Sequence, residues 1–261
     1  MITVAVLHPG AMGASVGAAA RAAGHRVLWC PDGRSEASVE RATRAGLTGC
    51  SSLAELAGES DVIISVCPPA AAVDLAKSVV DAGFVGTYVD ANAVSPATAG
   101  EVEAVLASPD IRVVDGGIVG PPAWTEGTTR LFLSGPGSCD VAALFEGSPL
   151  GVVDLAGTIG EASALKMGYA AWTKGSSALL AAVASFAEAA GVSRPLAEEW
   201  DRSQPGLNLR LERTLASVAP KAWRFVGEMH EIADSFAAVG QPEGYHRAAA
   251  ATYEDMLDPQ E

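Results

Sequence analysis

The chain has 261 residues, of which 49% are hydrophobic, and this is enough apolar material for a well-buried core in one large or two smaller α/β domains. Its formal net charge is -14, so its surface repels a nucleic-acid backbone or an anionic membrane, and we expect no nucleic acid and no membrane as partner. The four cysteines show neither a C-x-x-C pair nor histidines at a zinc-ligand spacing, which argues against a disulfide or metal framework and for a cytoplasmic protein.

In the first half of the chain, short apolar strand patterns alternate with alanine-rich helix patterns. The predicted strands are TVAVL, RVLWC, a short run at 47–50, DVIISVC, TYVDAN, IRVVDGGIVG and RLFLSG, and the predicted helices cover 12–23, 35–45, 52–57, 70–82 and 96–107. This alternation predicts an α/β fold of the Rossmann type, with a doubly wound parallel sheet whose ligands bind at the carboxyl ends of the strands. From about Thr158 the pattern is helical. We therefore predict a dinucleotide-binding domain over 1–155 and an all-α domain for substrate binding or dimerisation over 156–261.

The first strand ends in the stretch LHPGAMG, which has most of a phosphate-binding turn. Gly10 and Gly13 stand at the second and third glycine positions of G-x-G-x-x-G, which let a pyrophosphate approach the backbone and the helix pack on the strand. His8 replaces the first glycine, whose role is the tight turn, and Pro9 stiffens that turn. A strand, turn and helix without a ligand would give the same weak pattern. The predicted cofactor contacts are His8, Pro9, Gly10, Ala11, Met12 and Gly13.

The loop after the second strand, PDGRS, bears on the choice of cofactor. Arg34 can form forked, charge-assisted hydrogen bonds with a 2'-phosphate, and Ser35 can donate its hydroxyl to the same group. These residues favour NADP (NADPH). Asp32 is the residue type that NAD-selective sites use for the ribose hydroxyls, so NAD stays the alternative.

Five segments, taken together and in this order, resemble the β-hydroxyacid dehydrogenase superfamily, which includes 6-phosphogluconate and 3-hydroxyisobutyrate dehydrogenases and imine reductases. They are PGAMGASVG, VCPPAAAVDLA, VDANAVSPAT, VDGGIVGPPAWTEGTTRLFLSG and IGEASALKMGYAAWTKG. The end of the chain resembles the short helical C-terminal domain of a bacterial branch. The resemblance implies that Cys67 and Pro68 lie under the cofactor and Asn92 near the nicotinamide ribose. Ser95, which precedes Pro96, is first of all a plausible helix cap.

Lys166 stands where the superfamily has its catalytic lysine. The resemblance implies that its ammonium binds the substrate oxygen and exchanges a proton with it as hydride is transferred. A lysine that merely snorkels at a helix edge is the alternative reading. The hydroxyacid enzymes have an asparagine three or four residues after this lysine, where this chain has Tyr169 and Ala170. Tyr169, on the same predicted helix face, is a candidate proton donor in imine chemistry.

The substrate loop of the superfamily, D-x-x-x-S-G-G, aligns with residues 115–121, and its serine is Val119 in this chain. Trp124 beside the loop suggests a bulkier or more apolar substrate than a simple hydroxy acid. The predicted substrate contacts are Ser95, Gly117, Val119, Gly120 and Trp124.

Three functions follow from these observations. The first is an NADP-dependent oxidoreductase that moves a hydride between nicotinamide and the C-OH/C=O carbon of a small polar substrate, with Lys166 as acid and base. The second is an NADPH-dependent imine reductase, and the third is a nucleotide-binding dimer without turnover. The long alanine-rich helix over about 160–190 has more apolar face than one small domain covers, so we expect a homodimer.

Overall fold

The computed structural model describes residues 1–218 and 221–257. Within these ranges the chain forms two compact units, one from Met1 to Lys166 and the other from Met167 onward. None of the helices in the described part of the chain is both long and apolar enough to cross a membrane. The predicted domain boundary at 155 falls directly after the last strand, and the long helix that follows begins in the first unit and continues into the second.

The first unit contains a sheet of eight described strands in the order β3-β2-β1-β4-β5-β6-β7-β8. The strands are β1 (Thr3–Val6), β2 (Arg26–Trp29), β3 (Thr48–Gly49), β4 (Val62–Ser65), β5 (Gly86–Asp90), β6 (Ile111–Val119), β7 (Arg130–Ser134) and β8 (Gly151–Asp154). Its helices are α1 (Ala11–Ala22), α2 (Glu36–Ala45), α3 (Leu53–Glu59), α4 (Ala72–Asp81), α5 (Pro96–Val105) and α6 (Ser138–Ala143). The strand order reverses between β1 and β4, which is where ligands bind in sheets of this kind.

The first six strands pair in parallel, which confirms the predicted doubly wound α/β fold. The seventh strand, β7, departs from an all-parallel sheet because it pairs antiparallel with β6, and β8 then runs parallel to β7. The reason is the connection, since the residues between β6 and β7 form no helix, and a parallel pair needs a long crossover. The sequence reading also missed α6 and β8, which are short and lie at the end of the sheet order.

The sheet separates two layers of apolar side chains. Val4 and Val6 on β1 belong to the layer that includes α1 and α2, whereas Ala5 and Leu7 belong to the layer that includes α3, α4 and α5. Alternation along a strand sends successive side chains to opposite faces, so a buried parallel strand is apolar throughout. The polar side chains of the unit are thereby left to the ends of the strands and to the loops that follow them.

The helices of the second unit continue from α7 (Glu161–Ala189) and are α8 (Ser193–Ser203), α9 (Leu207–Val218), α10 (Ala222–Ala238) and α11 (Gly244–Glu254). Helix α11 is tied to α7 by two tyrosines, since Tyr253 donates to the Lys174 carbonyl at 2.7 Å and Tyr245 donates to the Gly175 carbonyl at 2.8 Å. A Cβ at residue 175 would lie 3.1 Å from the Tyr245 ring, so glycine there makes room for α11.

The side chain of Lys174 is paired with Glu228 of α10, and both side chains are largely buried. Arg224 reaches the same carboxylate at 3.3 Å from one turn earlier on α10. A buried ion pair of this kind requires that each charge keep its partner.

Candidate functional site

The turn between β1 and α1 has the geometry of an anion-binding turn. Gly10 stands at the N-cap of α1 with φ of -64° and has no side chain to cap the first N–H groups of the helix. These groups have no acceptor within the helix, and the helix dipole adds positive potential at the same end. The turn therefore presents unpaired donors to a phosphate.

The two glycines of the turn have different physical reasons to be glycine. A Cβ at Gly13 would lie 2.0 Å from the carbonyl oxygen of His8, so this position needs glycine for the fold itself. A Cβ at Gly10 would meet no atom within 4 Å, and its backbone conformation is one that any residue adopts. The space in front of Gly10 is thus open, as the close approach of a ligand to the backbone requires.

The loop after β2 brings hydroxyl and guanidinium groups to this turn. Arg41 on α2 donates from Nε to the Pro9 carbonyl at 3.2 Å and from Nη2 to the Ser38 hydroxyl at 3.1 Å. Ser38 in turn lies 3.2 Å from the Ser35 hydroxyl. Ser35 occupies the N-cap of α2, although its hydroxyl makes no capping bond. The sequence predicted Arg34 and Ser35 as cofactor contacts but not Arg41. Arg41 could have been recognised because it follows Ser38 by three residues, which places both side chains on one face of the helix.

His8 and Arg34 each hold a buried nitrogen without a partner. The Nδ1 atom of His8 and the Nε atom of Arg34 make no hydrogen bond among the described residues. Burial, together with the positive charge of Arg34, lowers the pKa of His8 to about 4, so the imidazole is neutral at pH 7. Buried polar atoms have a hydrogen-bond partner in the great majority of cases. A bound ligand would supply the missing partner of these two nitrogen atoms.

At the carboxyl ends of β4 and β5, Asn92 joins the two strands. Its Oδ1 accepts the Cys67 backbone N–H at 2.6 Å, and its Nδ2 donates to the Ser65 hydroxyl at 3.1 Å. Burial raises the pKa of the Cys67 thiol to about 12, so this cysteine is not a nucleophile at neutral pH. Pro68 is exposed and precedes a 3-10 turn over Pro69–Ala71. The amide of Asn92 thus fixes the shape of the edge beside β1.

Ser95 caps α5, as the sequence predicted. Its hydroxyl accepts the Thr98 N–H at 3.1 Å, and the side chain is buried. Capping uses the hydroxyl as an acceptor and leaves its proton to the neighbouring Thr98 hydroxyl at 2.9 Å or to another acceptor.

The start of α7 is clamped to β6 by Asp115, which sequence reasoning aligned but assigned no role. Its carboxylate accepts the backbone N–H groups of Gly160 and Ser163, each at 2.9 Å, and the Ser163 hydroxyl at 2.6 Å. Ser134 of β7 adds a bond at 3.2 Å to the same carboxylate. An acidic group that accepts N–H groups at a helix start satisfies orphan donors and complements the dipole.

Lys166 follows the clamp by one turn of α7 and reaches the same strand. Its ammonium donates to the Ile118 carbonyl at 2.7 Å, and a Cβ at Gly117 would lie 3.0 Å from the Lys166 Cβ. Gly117 therefore lets the helix lie against β6 closely enough for the lysine to reach past the strand backbone. The ammonium lies near the carboxyl end of β6, which extends four residues past its last pair with β5.

The loop after β6 turns toward α1 and α2. The Ala123 N–H donates to the Ser15 hydroxyl at 2.9 Å, and the Arg44 guanidinium lies over the Trp124 ring at 5.7 Å from its centroid. Trp124 is 45% exposed, whereas Val119 at the end of β6 is buried and Gly120 is exposed. The loop that carries Trp124 thus lies on the face of the sheet that is covered by α1 and α2, opposite the apolar layer that includes α3 to α5.

Tyr169 stands one turn beyond Lys166 on α7 and is 46% exposed. Ala170, at the second position where an asparagine was expected, is buried. In the part of the chain that the structure describes, no group of three histidine, cysteine, aspartate or glutamate side chains is placed to hold a metal ion.

Two family models match the sequence. The NAD binding domain of 6-phosphogluconate dehydrogenase matches residues 3–142, and a domain of unknown function (DUF1932) matches residues 187–256. The chain belongs to the 6-phosphogluconate dehydrogenase-like NAD-binding superfamily. The second match falls on the end of α7 and on the helices that follow it.

One relative and two solved structures are similar to this chain. An uncharacterized 28.5 kDa protein of Methanothermus fervidus is 32% identical over 180 residues, which cover 68% of each chain. The 3-hydroxyisobutyrate dehydrogenase of Mycobacterium tuberculosis, solved with L-serine, is 21% identical with a TM-score of 0.71 over 98% of this chain and 93% of that one. A reductive aminase of Aspergillus terreus, solved with NADPH and ethyl-5-oxohexanoate, is 16% identical with a TM-score of 0.61 over 98% and 93%. At these identities the two solved structures share the fold alone.

The residues of this superfamily member fit a nicotinamide dinucleotide. The open space at Gly10, the first N–H groups of α1, and the unpartnered nitrogens of His8 and Arg34 all belong to β1, β2 and the turns that follow them. The structure brings the residues of 8–13 together with the loop that carries Arg34 and Ser35, through the bond from Arg41 to Pro9. Cys67 and Asn92 follow the neighbouring strands β4 and β5, and Lys166 contacts β6, which is the next strand in the sheet order.

Proposed function

We propose that this chain is an NADP-dependent oxidoreductase that transfers a hydride between nicotinamide and the C-OH/C=O carbon of a small polar substrate. The observation that carries the proposal is the ammonium of Lys166, held by the Ile118 carbonyl at 2.7 Å at the same sheet edge as the nucleotide turn. The bound cofactor would supply or accept the hydride. The residues of the chain have to bind the substrate and transfer the proton.

In this proposal Lys166 handles the proton. Its ammonium donates a hydrogen bond to the carbonyl oxygen of the substrate and gives that oxygen a proton as the carbon is reduced, and in the reverse direction the amine takes the proton back. The Asp115 clamp makes Lys166 a fixed donor because it holds the first turn of α7 against β6. Substrate contacts are assigned to Ser95, which follows β5, to Gly117 and Val119 in the last residues of β6, and to Gly120 and Trp124, which follow β6.

The preference for NADP over NAD rests on the basic and hydroxyl groups of the loop after β2. Arg34, Ser35, Ser38 and Arg41 together offer two guanidinium groups and two hydroxyls around the edge of the nucleotide turn. A 2'-phosphate is a multivalent acceptor that such groups recognise well. Asp32, the feature that favours NAD, is exposed in the same loop.

The test is the oxidation of NADPH with a panel of β-keto acids, aldehydes and cyclic imines, followed by absorbance. Lys166→Ala is expected to abolish turnover while the variant still binds NADP+. Lys77→Ala is the matched control, because Lys77 is an exposed lysine paired with Asp74 on α4. Full activity of Lys166→Ala would contradict the assigned role, and NADPH binding without turnover of any substrate would favour the nucleotide-binding dimer without catalysis.

An imine reductase on the same scaffold is the second candidate, and the exposure of Tyr169 supports it. Val119 and Ala170 are buried apolar residues at two positions where a hydroxy acid would find polar contacts, which suits a less polar substrate. Tyr169 then gives its proton to the imine nitrogen. In this case turnover is confined to the imines of the panel, and Tyr169→Phe loses it. A wild-type protein inert toward all imines dismisses this candidate.

We also propose that the chain acts as a homodimer in the cytoplasm. Trp172, Leu179 and Phe186 recur every seven residues on α7 and are 70%, 52% and 70% exposed. Seven-residue spacing of apolar side chains is typical of a helix that pairs with another helix, and a second copy offers the same stripe. The four cysteines are free, which fits a reducing compartment. Sedimentation of a monomer at micromolar concentration would overturn the dimer.

A further inference from the structure

His8 is a residue that the standard dinucleotide turn does not need. The first glycine of that turn serves its tight geometry, and here a histidine makes the same turn, with Gly10 N–H bonded to the His8 carbonyl at 2.8 Å. The imidazole adds a titratable side chain to this turn. Its Nδ1 is buried and has no partner among the described residues.

The neighbour that acts on this imidazole is Arg34, which also holds a buried, unpartnered nitrogen. The charged or titratable groups on the surrounding elements are Arg34 and Asp32 after β2, Arg41 on α2 and Cys67 after β4. Arg41 is engaged with the Pro9 carbonyl, and the Cys67 thiol is neutral because burial raises its pKa to about 12. The free protein thus keeps the imidazole neutral, with burial as the larger cause and Arg34 as the smaller, at a pKa of about 4.

Resting on the proposed NADP site, we propose that His8 is a proton-linked contact for the 2'-phosphate: its imidazole takes up a proton from solvent when the phosphorylated cofactor binds and releases it when the cofactor leaves. A phosphate monoester carries about 1.5 to 2 negative charges at pH 7. Beside Arg34 it offsets the charge that disfavours imidazolium, and the protonated Nδ1 becomes a donor to the phosphate oxygens. The unphosphorylated cofactor brings no such charge, so the protonation of His8 contributes to the binding of NADP and not to that of NAD.

The experiment is calorimetric titration of the full-length protein with NADP+ and with NAD+ at pH 6.5, in pairs of buffers with different ionisation enthalpies. The dependence of the heat on the buffer gives the number of protons taken up for each bound cofactor. His8→Asn keeps a polar atom near the position of Nδ1 but does not titrate, and His8→Gly restores the standard glycine. Because the 2'-phosphate itself titrates near pH 6, only the difference between wild type and variant reports on His8.

If binding returns His8 to an ordinary pKa near 6.5, the wild type takes up about 0.5 proton more than either variant with NADP+. With NAD+ the difference is expected to vanish. Equal proton uptake by wild type and variants, with NADP+ bound in each case, overturns the proton link and leaves the proposed NADP site intact. A wild type that binds neither cofactor overturns both. Should one variant fail to fold, as judged by its thermal transition, the other supplies the comparison.

Discussion

The Cα atom of Gly13 lies so close to the carbonyl oxygen of His8 that a Cβ at residue 13 would fall 2.0 Å from it. The backbone of the turn after β1 and the first turn of α1 are thus in direct contact, and only glycine permits that contact. Gly10, three residues earlier, faces no atom within 4 Å. One glycine therefore serves the fold, and the other leaves room for a ligand.

This difference predicts opposite behaviour for two alanine substitutions. Gly13→Ala is expected to cost several kcal/mol, about 3 or more, because backbone has to move to relieve the overlap. Gly10→Ala is expected to change the unfolding free energy by about 1 kcal/mol or less and to weaken dinucleotide binding at least tenfold. Thermal unfolding and fluorescence titration with NADPH separate the two effects. Unchanged binding by Gly10→Ala would remove the argument that the open space belongs to a nucleotide.

The guanidinium groups on α2 give a second matched pair. Arg41 bonds to the Pro9 carbonyl in the nucleotide turn, whereas Arg44, three residues later, lies over Trp124. We expect Arg41→Ala to weaken NADPH binding about tenfold and NADH binding by less, since a charge-assisted hydrogen bond contributes about 1.5 kcal/mol or more. Arg44→Ala is expected to leave both affinities within about twofold, because the exposed Arg44 contacts Trp124 and not the Pro9 carbonyl. If the two variants behave alike, Arg41 has no special role toward the cofactor.

Among the polar residues of the first unit, Asp115 is expected to lose the most stability on substitution. Asp115→Asn keeps the shape but replaces one acceptor oxygen with a donor that faces N–H groups, and hydrogen bonds to a charged group are worth about 1.5 to 3 kcal/mol each. We expect a loss of about 3 kcal/mol in urea unfolding. Asp154→Asn is the control, because the exposed Asp154 accepts from the Ser138 hydroxyl and the Ala156 N–H. Equal losses of unfolding free energy in the two variants would show that the bonds of Asp115 stabilise the protein no more than those of the exposed Asp154.

The ion pair of the second unit predicts an asymmetric response. Glu228 is shared by Lys174 and Arg224, so Glu228→Gln leaves a buried ammonium without its carboxylate and is expected to cost about 3 kcal/mol or more. Lys174→Met leaves Glu228 with Arg224 and supplies an apolar side chain of similar length. It is expected to cost clearly less, about 1 to 2 kcal/mol. Thermal unfolding tests this, and Glu228→Gln is expected to have the lower transition temperature. The reverse order would mean that Arg224 does little to compensate the charge of Glu228.

Much of the fold was readable from the sequence because its signals are local. A buried parallel strand such as VIIS, or a helix of small residues after a glycine turn, can be recognised from fewer than about ten consecutive residues. Ser95 before Pro96 correctly predicted a helix cap. The direction of β7 was not readable, because it depends on whether the residues between β6 and β7 form a crossover helix. The short edge strand β8 has too little apolar pattern to be recognised.

The sequence by itself determined which groups this protein brings to its sheet edge: the glycine turn with its histidine, the arginine and serine after β2, the asparagine after β5 and the lysine of α7. Only the tertiary structure decided how they act together. Arg41 bonding to Pro9, Asp115 accepting from Gly160 and Ser163, and Lys166 reaching Ile118 join residues 32 to 48 positions apart in the chain. A local pattern reports which conformation a segment prefers, whereas contacts at such separations depend on how the strands order and the helices pack.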